Sequence, residues 1–349
     1  MVTKMSKRFL TDGCEGMSRS VSLKEIAERA NVSPATVSRV MNKNGRYSKE
    51  TEERVLRIID ECGYSPNQMA RGLRMSRNQI IGIIVPDITN EYFAKLIQVV
   101  QNTLFGFDYP VAIYNTNESR DIESKCLRYV RAQDVSGVIY INGDPSLEEG
   151  QLDGIPTIYV DREPEKRPRI KTKYVSSDNR AGGYLAASEL IRAGCRRMAV
   201  MTERAGTYVM SERLAGYAAA LEESGLTVEK ELVFRPKAIT YEAAYETVTA
   251  ALAAGVEFDG LFCQTDWLAS GAIAALQCHG IKVPAEVRIV GFDNISISHM
   301  CSLPFTTVKQ DIDAIGTYLA NTMIDMIYDR DKSGTVQIFP VSLIRRRTT

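Results

Sequence analysis

The chain has 349 residues, of which 44% are hydrophobic, with 43 Lys and Arg against 43 Asp and Glu. At roughly 100–200 residues per domain, this length predicts two or three domains, and the composition excludes a collagen, a coiled-coil rod and a wholly disordered chain. Taken over the whole chain, the zero net charge argues against a nucleic-acid-binding protein, which usually carries a basic excess.

The first predicted elements are three short helices in residues 21–66, after a tail of residues 1–20 that lacks periodicity and that we expect to be disordered. Ser33 precedes the second helix, Pro34–Asn42, and Ser48 precedes the third. Two short helices joined by a tight turn predict a helix-turn-helix. The exposed face of the second helix carries side chains suited to phosphates and guanine edges, namely Ser33, Thr36, Ser38, Arg39 and Asn42. A three-helix cap with a polar surface is the alternative interpretation.

Beyond a short linking segment, the pattern changes to strands that alternate with helices. This alternation predicts an α/β fold with parallel sheets covered by helices on both faces, and about 270 residues are enough for two such subdomains. Ligands of open parallel sheets bind beyond the carboxyl ends of the strands, so the loops there are the candidate sites. The predicted strands are Ile80–Val85, Val111–Tyr114, Val138–Ile141, Ile158–Val160, Met198–Met201, Gly260–Cys263 and Val287–Phe292.

The charges of the two parts are opposed. Residues 1–79 hold 15 Lys and Arg against 9 Asp and Glu, whereas the other 270 residues hold 28 against 34. The zero sum is therefore a cancellation between a head of net charge +6 and a body of net charge −6, which favours DNA binding by the head.

The other residue counts exclude several classes of protein. Seven scattered cysteines without a CxxC motif indicate a reduced, cytoplasmic protein. No secretory signal pattern and no apolar run of ~18 residues is present, so no membrane association is expected. Two histidines without metal-ligand spacing, and no nucleotide-binding or hydrolase motif, argue against an enzyme. We expect no cofactor and no metal.

Several motifs together carry a family resemblance. The head contains VSLKEIAERANVSPATVSRVMN and ETEERVLRIIDECGYSPNQMARGLR, and the body contains IIGIIVPDITNEYF, VSSDNRAGGYLAASELIRAG, GFDNI and TTVKQDIDAIG in this order. These motifs closely resemble those of LacI/GalR-family bacterial repressors. The resemblance implies a helix-turn-helix head in residues 21–66, a hinge in residues 67–79 and an effector domain in residues 80–349. It also implies the two-lobed fold of periplasmic sugar-binding proteins, with lobe one near residues 80–177 plus 308–333 and lobe two near residues 178–307 plus 334–349.

For the DNA-binding surface, the resemblance implies that the Pro34–Asn42 helix enters the major groove. Pro34 and Ala35 match the positions that vary with operator choice, and Arg39 matches one that often contacts a guanine. Positions that contact phosphates in the family are matched by Ser33, Thr36 and Asn42, with Arg46 as a further candidate. The hinge segment PNQMARGLR contains Arg71 and Leu73, and Leu73 matches a leucine that wedges into the minor groove. Burial of Leu73 within the linker is the alternative.

For the effector site, the resemblance implies nine residues: Asn90, Tyr92, Phe93, Asp161, Arg162, Arg213, Thr265, Asp293 and Gln310. Carboxylates that accept hydroxyl pairs, a planar guanidinium and aromatic rings suit a polyol, and the set resembles that of pentose-binding periplasmic proteins. Thr265 departs from this pattern, since it occupies a position where many members have Asn. Each residue also has an ordinary structural alternative, such as core packing for the aromatics or a surface ion pair for Arg162.

The sequence therefore predicts a DNA-binding regulator, acting as a repressor, with a small sugar-like effector between two lobes. We expect a homodimer on a pseudopalindromic operator, with effector binding linked to hinge melting; if the effector is a corepressor, the direction of this linkage is reversed. Control by a partner protein of the phosphocarrier type, or by a nucleobase corepressor, remains an alternative.

Overall fold

The computed structural model describes residues 23–41, 47–62, 78–142, 150–162, 172–203, 207–330 and 334–349, apart from the side chains of Leu23, Lys24 and Ser38. Two compact units divide the chain, Met1–Ser76 and Arg77–Thr349. The helical head and the two-sheet α/β body agree with the predicted fold class.

The first unit contains three helices, α1 (Leu23–Arg29), α2 (Pro34–Met41) and α3 (Lys49–Glu61). The turn between α1 and α2 is tight because Asn31 adopts a left-handed φ of 50°. Small apolar side chains fill the core of this unit, namely Ile26, Ala27, Ala30, Val37, Val40 and Val55. A core this small fixes the angle between α1 and α2 and leaves one face of α2 exposed.

The second unit contains two six-stranded sheets, each with a helix layer on both faces. The first sheet contains β1 (Asn78–Val85), β2 (Val111–Asn115), β3 (Val135–Ile141), β4 (Thr157–Val160), β5 (Thr172–Ser177) and β11 (Val336–Phe339). The second contains β6 (Met198–Met201), β7 (Val233–Phe234), β8 (Gly260–Cys263), β9 (Arg288–Asp293), β10 (Thr306–Gln310) and β12 (Val341–Ile344).

The two sheets have equivalent strand orders, β11-β5-β4-β3-β1-β2 and β12-β10-β9-β8-β6-β7. All neighbours are parallel except β10 and β12. β4 and β9 therefore occupy the same place in their sheets, as do β1 and β6. Loops that follow equivalent strands can face one another from opposite lobes.

We call the first sheet lobe one, together with α4 (Glu91–Phe105), α5 (Arg120–Ala132) and α11 (Ile312–Ile327). Lobe two is the second sheet together with α6 (Asn179–Arg192), α7 (Tyr208–Glu223), α8 (Tyr241–Ala253), α9 (Asp266–Cys278) and the single turn α10 (Ile297–Met300). Apolar clusters cover both faces of each sheet, which explains why the central strands are buried throughout.

The chain crosses between the lobes at Asp178, Asp311 and Pro340, each of which separates elements of different lobes. The first crossing lies at the expected boundary between residues 177 and 178, whereas the second and third do not. Residues 308–310 belong to lobe two because β10 pairs with β9, and residues 336–339 belong to lobe one because β11 pairs with β5. Likewise, Asn78 and Gln79 were placed in the hinge but already form part of β1.

Asp178 and Asp311 each cap the helix that follows, since their carboxylates accept from the backbone N–H of Ala181 and Ala314 at 2.9 and 3.1 Å. At two of the three crossings, the residue between the lobes therefore fixes the first turn of the next helix. Among the described helices, none is long and apolar enough to cross a membrane.

Candidate DNA-binding surface and effector site

The exposed face of α2 forms the candidate DNA-binding surface. Ser33, Pro34, Ala35 and Arg39 are exposed, and Thr36 is half-buried. The Ser33 hydroxyl accepts from the Thr36 backbone N–H at 3.1 Å and lies 2.9 Å from the Thr36 hydroxyl, so it caps the helix. The surface therefore presents one cation on a helix that begins with small side chains, a shape that can approach base edges closely.

The remaining predicted DNA-binding residues are outside what the structure describes. They are the Ser38 side chain and Asn42, Arg46, Arg71 and Leu73. Their contacts with DNA stay predictions.

In the second unit, a chain of hydrogen bonds and one ion pair connects polar side chains of the two lobes. Asp161, directly after β4, accepts from the Ser176 hydroxyl at 2.7 Å. Ser176 accepts from the Asn179 amide at 3.1 Å, and Asn179 accepts from Arg213 Nε at 2.9 Å. Arg213 lies 3.5 Å from the carboxylate of Asp293 at the end of β9. The chain thus begins in lobe one, passes the first crossing and ends in lobe two.

Gln310, at the second crossing, extends this chain by donating from Nε2 to Asp293 Oδ1 at 2.8 Å. Asp161 and Asp293 follow the equivalent strands β4 and β9, and both adopt left-handed φ values, 57° and 106°. For non-glycine residues such backbone conformations carry strain and are common at functional sites. The two carboxylates therefore form an equivalent pair across the lobes.

Arg213 is held from several sides. Its guanidinium also donates to the Gln264 carbonyl and stacks on Phe292, with Cζ 3.5 Å from the ring centroid. Gly183 of α6 allows this arrangement, since a Cβ at that position would lie 1.9 Å from the Arg213 carbonyl oxygen. A buried, planar donor fixed in this way is suited to a ligand oxygen.

The pKa values reflect burial of this cluster. Burial raises the pKa of Asp293 to about 6, although Arg213 and Gln310 act in the opposite direction. Burial also raises the pKa of Asp161, and that of Tyr92 is raised well above its usual range by burial and by the carboxylates of Asp161 and Asp293. The Tyr92 side chain from α4 therefore lies within the field of both carboxylates and completes the cluster.

The structure brings together five of the nine predicted effector residues: Tyr92, Asp161, Arg213, Asp293 and Gln310. The ring of Phe93 packs edge-on against the ring of Tyr92, with 5.4 Å between the ring centroids. Arg162 is buried, and its Cζ atom lies 4.2 Å from the ring centroid of Tyr159. The alternative of a surface ion pair therefore does not describe this residue.

Asn90 and Thr265 have local roles in the structure. Asn90 Oδ1 accepts from the Tyr92 backbone N–H at 3.0 Å, and Thr265 Oγ1 accepts from the Leu268 backbone N–H at 3.3 Å. Both residues therefore cap the helices that follow them. Each of these oxygens already accepts one hydrogen bond.

Sequence reasoning missed Ser176, Ser177, Asn179 and Gln264 as members of the cluster. The first two end β5, a strand that we did not predict because polar residues such as Lys173 are buried within it. The available signal was the run of Ser, Ser, Asp and Asn in the motif VSSDNRAGGYLAASELIRAG.

Several buried polar atoms in the cluster have no hydrogen-bond partner among the described residues. They are Tyr92 Oη, Ser177 Oγ and the Oε1 atoms of Gln264 and Gln310. Leaving such groups unpaired is costly, and ligand hydroxyls could satisfy them. Within the described part of the chain, no group of His, Cys, Asp and Glu side chains could hold a metal ion.

Comparison with known proteins agrees with this architecture. Residues 22–67 match the family described as bacterial regulatory proteins, lacI family, and residues 187–349 match a periplasmic binding protein-like domain. The chain is 31% identical over 328 residues to a ribose operon repressor of Halalkalibacterium halodurans, covering 94% of this chain and 97% of the relative. It is 30% identical over 335 residues to the transcriptional regulator RegA of Clostridium saccharobutylicum, covering 95% and 99%.

Solved structures show the same fold. A lac repressor dimer bound to operator and the anti-inducer ONPF has a TM-score of 0.85 at 24% identity, covering 95% of this chain and 99% of that one. A complex of the regulator CelR with cellobiose has a TM-score of 0.72 at 26% identity, covering 94% and 100%. The protein belongs to the LacI family and is a DNA-binding transcription regulator, with a helix-turn-helix head followed by a periplasmic-binding-protein-like domain.

Proposed function

We propose that the protein is a repressor whose operator affinity is switched by a small, pentose-like sugar bound between Tyr92, Asp161, Arg213 and Asp293. The observation that carries this proposal is the chain of hydrogen bonds and one ion pair from Asp161 to Gln310, which joins the lobes through buried polar side chains. Two carboxylates accept from hydroxyl groups, and a fixed guanidinium donates to a ring or hydroxyl oxygen. A ligand rich in vicinal hydroxyls satisfies this set.

Two of the comparisons support a sugar. One relative is named a ribose operon repressor, and one structural neighbour holds cellobiose. Other relatives at 28–29% identity are named PurR, and these keep a nucleobase corepressor as the second candidate.

The mechanism we propose is linkage between two states of the second unit. The effector contacts side chains of both lobes, so it binds more tightly when the lobes approach one another. Closure rotates the lobes about the crossings at Asp178, Asp311 and Pro340 and moves the amino end of β1, which the hinge precedes in the chain. The hinge helices then separate from the operator, and affinity falls.

The oligomer and the operator belong to the same proposal. We propose a homodimer that places two copies of α2 on the half-sites of a pseudopalindromic operator, as the symmetry of such sites requires. The hinge residues Arg71 and Leu73 would contact the minor groove at the centre. Since the operator lies on the chromosome, the protein would act in the cytoplasm.

A thermal-shift screen tests the effector assignment. Pentoses, hexoses, their phosphates and nucleobases are each added to the full-length protein, and one pentose should raise the melting temperature. The shift should vanish in Asp293→Ala. If a nucleobase raises the melting temperature instead, the effector is a nucleobase. If no compound raises it at about millimolar concentration, control by a partner protein is favoured.

A further inference from the structure

We propose that Glu91 is a positioning residue that holds lobe one against lobe two through Ser296, and thereby sets the affinity for the effector without contacting it. This inference rests on the proposed function for its effect on ligand affinity. The contact itself is a property of the protein alone and can be tested without any ligand.

The contact joins elements that are 205 positions apart in the chain. Glu91 is the first residue of α4 in lobe one, and Ser296 follows β9 in lobe two. The backbone N–H of Ser296 donates to both carboxylate oxygens of Glu91 at 3.0 Å, and the Ser296 hydroxyl donates to Oε1 at 2.6 Å. Hydrogen bonds to an ionised acceptor are shorter and stronger than neutral ones, as the 2.6 Å contact illustrates.

The partner in lobe two is fixed, so the contact constrains the lobe and not just a loop. The backbone N–H of Ile295 donates to the buried carboxylate of Asp266 at 2.8 Å. The side chain of Asn294 accepts from Arg346 at 2.6 Å, and Arg346 also donates to the Phe305 carbonyl at 3.0 Å. A segment held on both sides in this way moves with the rest of lobe two.

The partner in lobe one is fixed as well. Lys95, one turn along α4, forms an ion pair with the same carboxylate. Burial alone would raise the pKa of Glu91, yet the hydrogen bonds from Lys95 and Ser296 hold that pKa below its usual value. Glu91 is therefore ionised at neutral pH, the form in which it accepts all of these bonds.

The position of this contact relates it to the effector site. Glu91 precedes Tyr92, and Ser296 lies three residues after Asp293, so the contact spans the same gap between lobes as a ligand held by Tyr92 and Asp293. Both interactions require the same approach of the lobes. If Glu91 and Ser296 separate, the fraction of closed protein falls and the apparent dissociation constant rises in inverse proportion.

The first experiment uses amide hydrogen exchange on the full-length protein without effector. Glu91→Gln puts an amide group opposite the Ser296 N–H and removes the charge. This variant should increase the exchange rate of the Ser296 backbone amide by ~10-fold, because it replaces a charge-assisted hydrogen bond at a partly exposed site by a neutral one. Glu242→Gln is the matched control, because Glu242 is an exposed acidic residue in the first turn of α8. Unchanged exchange at Ser296 in the Glu91 variant would overturn the proposal.

A second variant, at Ser296, distinguishes loss of this contact from a general loss of protein stability. Ser296→Ala removes the hydroxyl donor and leaves the backbone N–H in place, so its effect should be smaller. The double variant should exchange no faster than Glu91→Gln alone, because both changes act on one contact. Additive effects of the two changes would contradict a shared role.

The second experiment measures affinity with D-ribose as the probe, followed by the fluorescence of the single tryptophan, Trp267. Glu91→Gln should weaken binding by ~10-fold, because losing the contact lowers the fraction of effector-free protein in which the lobes are close together. Equal affinities would overturn the effect on the effector. If the wild-type protein does not bind D-ribose, D-ribose is not the effector, and the hydrogen-exchange result alone decides whether Glu91 holds the lobes.

Discussion

Asp293→Asn should stabilise the effector-free protein at neutral pH while it abolishes effector binding. Asp293 is buried, and burial raises the pKa of its carboxyl from the usual 3.8 to about 6 despite Arg213 at 3.5 Å. One pKa unit corresponds to ~1.4 kcal/mol, so the ionised carboxylate costs the folded protein about 3 kcal/mol at pH 8. Asparagine has nearly the same shape and no charge, and it removes this cost.

The difference between the two proteins should depend on pH in a defined direction. Since the pKa of Asp293 is higher in the folded state, its contribution to stability is fully present below pH 3.8 and is lost as the pH rises through about 6. The advantage of the variant should therefore be about 3 kcal/mol at pH 8 and about half of that at pH 5.

Urea unfolding followed by Trp267 fluorescence measures this difference, because that tryptophan is partly buried in the first turn of α9. Asp311→Asn is the matched control, since Asp311 is exposed and Asn is an equally good helix cap. A variant that is less stable than the wild-type protein at pH 8, or a difference that does not change with pH, would refute the reasoning.

Three further changes have defined outcomes. Gly183→Ala should abolish effector binding and lower the free energy of unfolding by ~2 kcal/mol or more, since the new methyl overlaps the Arg213 backbone; normal binding in a calorimetric titration would contradict this. Arg39→Ala should relax base preference at one position of each half-site in a selection from random DNA, and an unchanged binding-site logo would remove Arg39 from direct readout. Leu73→Ala should weaken operator binding in gel shifts by much more than binding to nonspecific DNA, and equal losses would exclude a wedge.

Regular elements were predictable where apolar periodicity and caps agree. The strands Met198–Met201 and Gly260–Cys263 have the predicted bounds. β5 was missed because Lys173, Thr172, Ser176 and Ser177 occupy buried positions in it, where tertiary packing overrides the polar pattern. The two residues of β7 are too few to produce a periodic signal.

The family resemblance predicted the residues of the effector cluster, and hydrogen bonds within the structure determine which of them lie close together. Asp161 and Asp293 could be placed at strand ends from the sequence, but the link through Ser176 and Asn179 depends on the unpredicted strand β5. Conversely, the capping role of Thr265 follows from its position before a helix, and local backbone contacts of this kind compete with ligand contacts.

The strands β11 and β12 have a consequence for how the protein is made. They are separated by Pro340 alone, yet β11 joins the sheet of lobe one and β12 joins the sheet of lobe two. During translation, neither sheet can gain its last strand until residues 336–344 have left the ribosome. The folding of both lobes is therefore completed by the same short segment. A stop codon just before residue 336 would therefore damage both sheets at once, and the nascent chain would expose two open sheet edges until the end of synthesis.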